Sequence, residues 1–163
     1  MAIPSTNAHV LLIRHAECLM NLGLASHVGG RSAASPLTPL GQEQAKHLGC
    51  HLQQTVPGSS LRLFSSTAVR ARETALAALD ALQLPRDSLI QSEELLELEM
   101  GEWEGALRAE CYTPAALAAI AADPHNFSPP GGESQLQVRR ARRCGSAAAC
   151  GAPTSNPDGT TMS

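Results

Sequence analysis

Apolar positions change rhythm along the first half of the chain, and each change predicts an element. Val10-Leu11-Leu12-Ile13 is an unbroken apolar run that ends in Arg14-His15-Ala16-Glu17. A short run of this kind suits a strand buried in an α/β sheet, so residues 10–15 are expected to form the first strand. Residues 16–36 hold no period of two or of 3.6. Gly23, Gly29, Gly30, Ser32, Ser35 and Pro36 punctuate them as an irregular segment. A helix is predicted next, with Thr38 as N-cap and Pro39 at the first helical position. Leu40, Ala45, Leu48 and Leu52 offer it an apolar side, and Pro57-Gly58 should end it.

Residues 61–64 are the second strand candidate, closing on Ser65-Ser66. Residues 67–82 contain Ala, Leu, Arg and Glu with no Gly or Pro, which predicts a strong helix. A turn at Pro85 and a short extended piece fill 84–90. Residues 93–99 are acidic and rich in Leu, and lead into Gly101-Glu102-Trp103-Glu104-Gly105. Residues 114–122 read as an Ala-rich helix stopped by Asp123-Pro124. Pro129-Pro130-Gly131-Gly132 is a break, and 133–143 a further helix with a basic face. Strands alternating with helices give the α/β pattern. From about Cys144 no hydrophobic pattern remains, so the expected organisation is one domain over 8–143 and a low-complexity, disordered tail over 144–163.

Composition narrows the class. A chain of 163 residues with 43% hydrophobic content can bury one real core. Only 2% is aromatic, so Leu, Ala, Val and Ile must build it. The formal charge of −3 selects no polyanionic partner. Five cysteines, with no CxxC pair, argue against a disulfide framework and for a reducing compartment. No signal-like start and no membrane-length run are evident, so a cytoplasmic location is expected. His47 and His51 flank Cys50 at a spacing that can hold zinc, but further ligands are not evident nearby. Arg139-Arg140 and Arg142-Arg143 lack the interleaved aromatic residues that stack on bases.

Candidate chemistry gathers at the end of the first strand candidate, where ligands collect in open α/β sheets. Arg14 supplies a permanent positive fork for phosphate oxygens. A neutral His15 is a competent nucleophile near neutral pH. Asn21 follows closely.

The chain resembles the histidine phosphatase (phosphoglycerate mutase-like) superfamily in several separated stretches across roughly residues 8–140. These are Leu12-Ile13-Arg14-His15-Ala16-Glu17 with Asn21, then Leu37-Thr38-Pro39-Leu40-Gly41 with Gln44-Ala45. Ser65-Ser66 follows with Arg70-Ala71 and Glu73-Thr74-Ala75. Then come Glu97 with Gly101 and Trp103-Glu104-Gly105, and finally Pro130-Gly131-Gly132-Glu133-Ser134. The resemblance implies a three-layer phosphoglycerate mutase-like sheet with helices on both faces, C-terminally incomplete here. It implies His15 as the nucleophile that forms a phosphohistidine. Arg14, Asn21 and Arg70 would bind phosphate oxygens, and Glu97 would serve as proton donor and then as base. Phosphoryl transfer needs positioning and stabilisation of charge on three oxygens, which two arginines supply. No cofactor and no metal are implied. The substrate would be a phosphorylated small molecule or a phosphoprotein, with neither nucleic acid nor membrane as partner.

Each residue also has a plainer reading. Arg70 would lie on a solvated helix face, Glu97 would be one surface carboxylate among many, and Asn21 an ordinary loop residue. Trp103 reads better as a packing anchor than as a substrate contact. The chain departs from the family pattern at Ala16, where glycine is usual, and at Cys18, where Ser or Thr is common. No histidine follows His125, so the family's second catalytic histidine is not matched. Two functions are therefore expected: phosphomonoester hydrolysis or mutase-like transfer through His15, or a catalytically dead phosphate-binding or regulatory pseudoenzyme.

Overall fold

The computed structural model describes residues 9–23, 26–56 and 61–140. The chain divides into two compact units. The first comprises Met1–Leu22 and Ala33–Gln91, and the second Gly23–Ser32 and Ser92–Ser163.

In the first unit the elements are α1 (Leu19–Gly23), α2 (Pro39–Thr55), β1 (Phe64–Ser66), α3 (Val69–Ala81) and β2 (Ile90–Ser92), with a 3-10 turn at Arg86–Ser88. β1 and β2 pair as a two-stranded sheet. α2 starts where the sequence places it. The Thr38 side chain accepts from the Gly41 N–H at 3.0 Å, and Pro39 loses no hydrogen bond in the first turn. The buried side of α2 keeps the expected Ala45 and Leu52, with Leu48 half-buried, but departs at its start. Leu40 is 56% exposed, while Gly41, Ala45, Gly49 and Leu52 are buried. The cause is close approach. A Cβ added at Gly49 would stand 2.5 Å from the Ala81 Cβ and 2.9 Å from the Ala78 Cα of α3. At Gly41 a Cβ would collide with the Glu17 carbonyl oxygen. Small residues let α2 lie against both α3 and the 15–18 segment. Cys18, Leu37 and Ala45 form the buried cluster there.

The expected first strand is not formed. Residues 9–17 carry no helix or strand, and Val10, Leu11, Leu12 and Ile13 are 78%, 55%, 94% and 50% exposed. A strand exists only when a neighbour completes its backbone hydrogen bonds, and the described sheet consists of β1 and β2 alone. The second strand starts three residues later than expected, at Phe64, and closes on Ser65-Ser66 as expected.

The second unit is built from short pieces: 3-10 turns at Glu93–Leu95 and Gly101–Trp103, α4 (Arg108–Cys111), α5 (Pro114–Ala122) and a helix over 135–140. Backbone bonds from Val28 to the Ala106 carbonyl (2.9 Å) and from Arg108 to the Ser26 carbonyl (2.8 Å) join its two chain segments. Trp103 is its anchor. The indole meets Tyr112 edge-on at 5.1 Å and Phe127 at 5.7 Å, so three of the chain's four aromatic residues gather here. No helix among the described residues is long and apolar enough to cross a membrane. The end of the last expected helix, 141–143, and the expected tail over 144–163 lie outside the described residues.

Candidate active site

The segment carrying His15 is held by backbone and side-chain bonds rather than by a sheet. Leu19 N–H donates to the Pro36 carbonyl at 3.0 Å and Thr38 N–H to the Glu17 carbonyl at 3.1 Å. The Thr38 hydroxyl donates to the Glu17 carboxylate at 2.6 Å, and Glu17 N–H donates to the Gln44 side-chain oxygen at 2.9 Å. The segment is thereby stitched to the N-terminal half of α2.

His15 is half-buried, and its Nδ1 lies 2.7 Å from the Ala16 carbonyl oxygen. A carbonyl oxygen has no proton to give, so Nδ1 carries the hydrogen. In the neutral ring the lone pair then resides on Nε2. The next residue is fixed from α3. Ala16 N–H donates to the Thr74 hydroxyl at 3.0 Å, and that hydroxyl donates to the Arg70 carbonyl at 2.7 Å. Thr74 thus joins the backbone beside the histidine to the turn of α3 that carries Arg70.

Arg70 is 2% exposed, so the solvated-face reading of it fails. A buried guanidinium is costly unless it meets opposite charge or acceptors. Arg14 is exposed. It lines, with His15, Gln44, Leu48 and Thr74, an open cleft of 230 Å³. Asn21 faces back into its own turn. Its Oδ1 accepts from the Cys18 N–H at 2.9 Å and from the Cys18 thiol at 3.1 Å, so its amide NH2 is the donor it can offer elsewhere.

Glu97 belongs to the second unit and is exposed. Its main-chain carbonyl accepts from Arg31 Nε at 3.3 Å. Arg31 also binds Glu99 at 3.0 Å and Glu133 at 2.8 Å. Glu104 lies at the other end of the same loop. It accepts from the N–H groups of Arg31 (2.7 Å), Ser32 (3.0 Å) and Met100 (3.1 Å). Burial pushes the Glu104 carboxyl up. The N–H groups of Ser32, Met100 and Arg31 and the Ser32 hydroxyl outweigh it and hold the group below its ordinary value.

Sequence reading missed Arg31, Glu104 and Thr74 as organising residues. A signal for Arg31 existed: residues 93–104 hold six glutamates and no lysine or arginine, so the block needs a cation from elsewhere in the chain. Among the described residues no group of three His, Cys, Asp or Glu side chains could hold a metal ion.

The model of the histidine phosphatase superfamily (branch 1) matches residues 10–155. The chain belongs to that superfamily. It is 30% identical over 129 residues to the fructose-2,6-bisphosphatase TIGAR of Xenopus tropicalis, an alignment covering 78% of this chain and 44% of the relative. The chain therefore spans less than half the length of that curated relative. Among solved structures it is similar to a mycobacterial glucosyl-3-phosphoglycerate phosphatase, with a TM-score of 0.67 and 28% identity over 82% of this chain and 59% of the other. It is equally similar to the alpha-ribazole phosphatase of Shigella flexneri, with a TM-score of 0.67 and 29% identity over 85% and 65% of the two chains. The α/β, phosphoglycerate mutase-like fold class expected from the sequence holds.

Proposed function

We propose that this superfamily member hydrolyses a phosphomonoester of a small molecule through a phosphohistidine on His15, acting in the cytoplasm. One observation carries the reading: the Nδ1 contact to the Ala16 carbonyl leaves the nucleophilic lone pair on Nε2. The named phosphatases among its relatives support hydrolysis over mutase-like transfer.

In the first step the Nε2 lone pair attacks phosphorus, and the bond from phosphorus to the ester oxygen breaks. The leaving alkoxide takes a proton from Glu97. In the second step water attacks phosphorus, its proton passes to the Glu97 carboxylate, and the P–N bond breaks to release phosphate and neutral histidine. Arg14, Arg70 and the amide of Asn21 bind the oxygens of the transferring group, where charge spreads in the transition state. Buried Arg70 acts most strongly, because it interacts through little solvent.

The test is thermal unfolding of the full chain with and without orthovanadate, paired with turnover of an aryl phosphate by the wild-type chain and by His15→Ala. Vanadate mimics five-coordinate phosphorus, and a ligand that binds only the folded state raises its transition. The expected result is a raised transition, measurable turnover, and none with His15→Ala. An active His15→Ala chain overturns the mechanism. A raised transition without wild-type turnover selects the phosphate-binding pseudoenzyme instead.

A further inference from the structure

We infer that Arg31 is a positioning residue for the proton donor of this site, an inference that rests on the role proposed for Glu97. The loop bearing Glu97 has no regular structure from 97 to 100. Its backbone is instead held by side chains. Glu99 N–H donates to the Glu133 carboxylate at 3.2 Å and Met100 N–H to Glu104 at 3.1 Å. The Glu97 carbonyl is held by Arg31 Nε at 3.3 Å.

Arg31 is the member these holds share. Its three guanidinium nitrogens serve three acceptors: Nε the Glu97 carbonyl, Nη1 Glu99 and Nη2 Glu133. Its own backbone N–H donates to Glu104 at 2.7 Å. A planar fork can hold three acceptors in fixed directions, whereas an ammonium offers a point charge on a flexible stem. Proton transfer needs the donor oxygen within about 2.6–3.2 Å of the leaving oxygen, so a loose loop at Glu97 would forfeit it. Arg31 itself need not touch substrate. It fixes the main chain from which the Glu97 carboxyl projects.

The consequence is specific to the leaving group. A poor leaving group such as an alkoxide needs the proton, and a p-nitrophenolate does not. The experiment compares turnover of glycerol phosphate and of p-nitrophenyl phosphate by the full chain, with Arg31→Met, Arg31→Lys and Glu97→Gln. Both Arg31 variants are expected to lose about 100-fold in kcat/KM, which reports the leaving-group step and not the later hydrolysis, on the alkyl ester and less than about threefold on the aryl ester, as Glu97→Gln does. Arg31→Lys keeps a charge for Glu99 and Glu133, so it answers the question if Arg31→Met does not fold. Amide hydrogen exchange over 96–104 is measured on the same proteins and is expected to speed up about tenfold in the Arg31 variants. Equal losses on both esters, or none, overturn the inference, since a merely structural residue would not separate them. Unchanged exchange in the Arg31 variants overturns the role of Arg31 alone. A Glu97→Gln chain that shows no split between the esters overturns the role of Glu97 itself.

Discussion

The Thr74 hydroxyl stands between two backbone groups, the Ala16 N–H at 3.0 Å and the Arg70 carbonyl at 2.7 Å, and Thr74 is 5% exposed. A single oxygen therefore sets the distance between the segment of the proposed nucleophile and the helix turn that carries the buried arginine. Thr74→Val keeps the volume and removes both bonds, leaving the Ala16 N–H without this acceptor at a cost of about 1–3 kcal/mol. Turnover of an aryl phosphate should fall about tenfold, because reacting atoms tolerate little displacement. Thr74→Ser restores the hydroxyl and should restore the rate. A Thr74→Val chain with wild-type turnover would show that Ala16 holds its place by other means. The sequence names His15, Arg14 and Arg70 in advance as candidates for phosphate chemistry. The tautomer of His15 and the burial of Arg70 were not legible, since both depend on neighbours distant in sequence, and Asn21 gave no hint that its oxygen belongs to Cys18.

Elements were legible where local chemistry decides them. The Thr38-Pro39 start of α2, the Gly-free and Pro-free stretch of α3, and the Thr113-capped α5 form where the pattern puts them. The register of α2 was legible only in part: Ala45 and Leu52 are buried as a hydrophobic count puts them, whereas close helix approach selects Gly41 and Gly49 over Leu40. The strand expected over 10–15 depended on a partner strand, which no local pattern can supply. The acidic loop is the opposite case: irregular in sequence, it is pinned by Glu104. The Glu104 carboxyl titrates below its ordinary 4.5 in the folded chain. Its contribution to stability is therefore complete above about pH 4.5 and is lost as pH falls through the lower folded value. Urea midpoints of the wild-type chain and Glu104→Gln should differ near neutrality and converge in acid. A difference of the same size at both ends would remove Glu104 from the account of this loop.

At the scale of the whole chain, family membership was legible because separated motifs occur in order, and the family match over 10–155 agrees with it. Less legible was how much of the family's architecture these residues complete by themselves. The exposed Val10–Ile13 run shows the difference: four apolar side chains placed for a sheet stand in solvent. Function then rests on whether the stitched 15–18 segment, rather than a paired strand, holds His15 well enough to react. Brief reaction with an aryl phosphate, quenched in base and mapped by mass spectrometry and phosphorus NMR, asks that directly. The expected result is one phosphoryl group on His15, bonded to Nε2. A phosphoryl group on Nδ1, on another residue, or on none would contradict it.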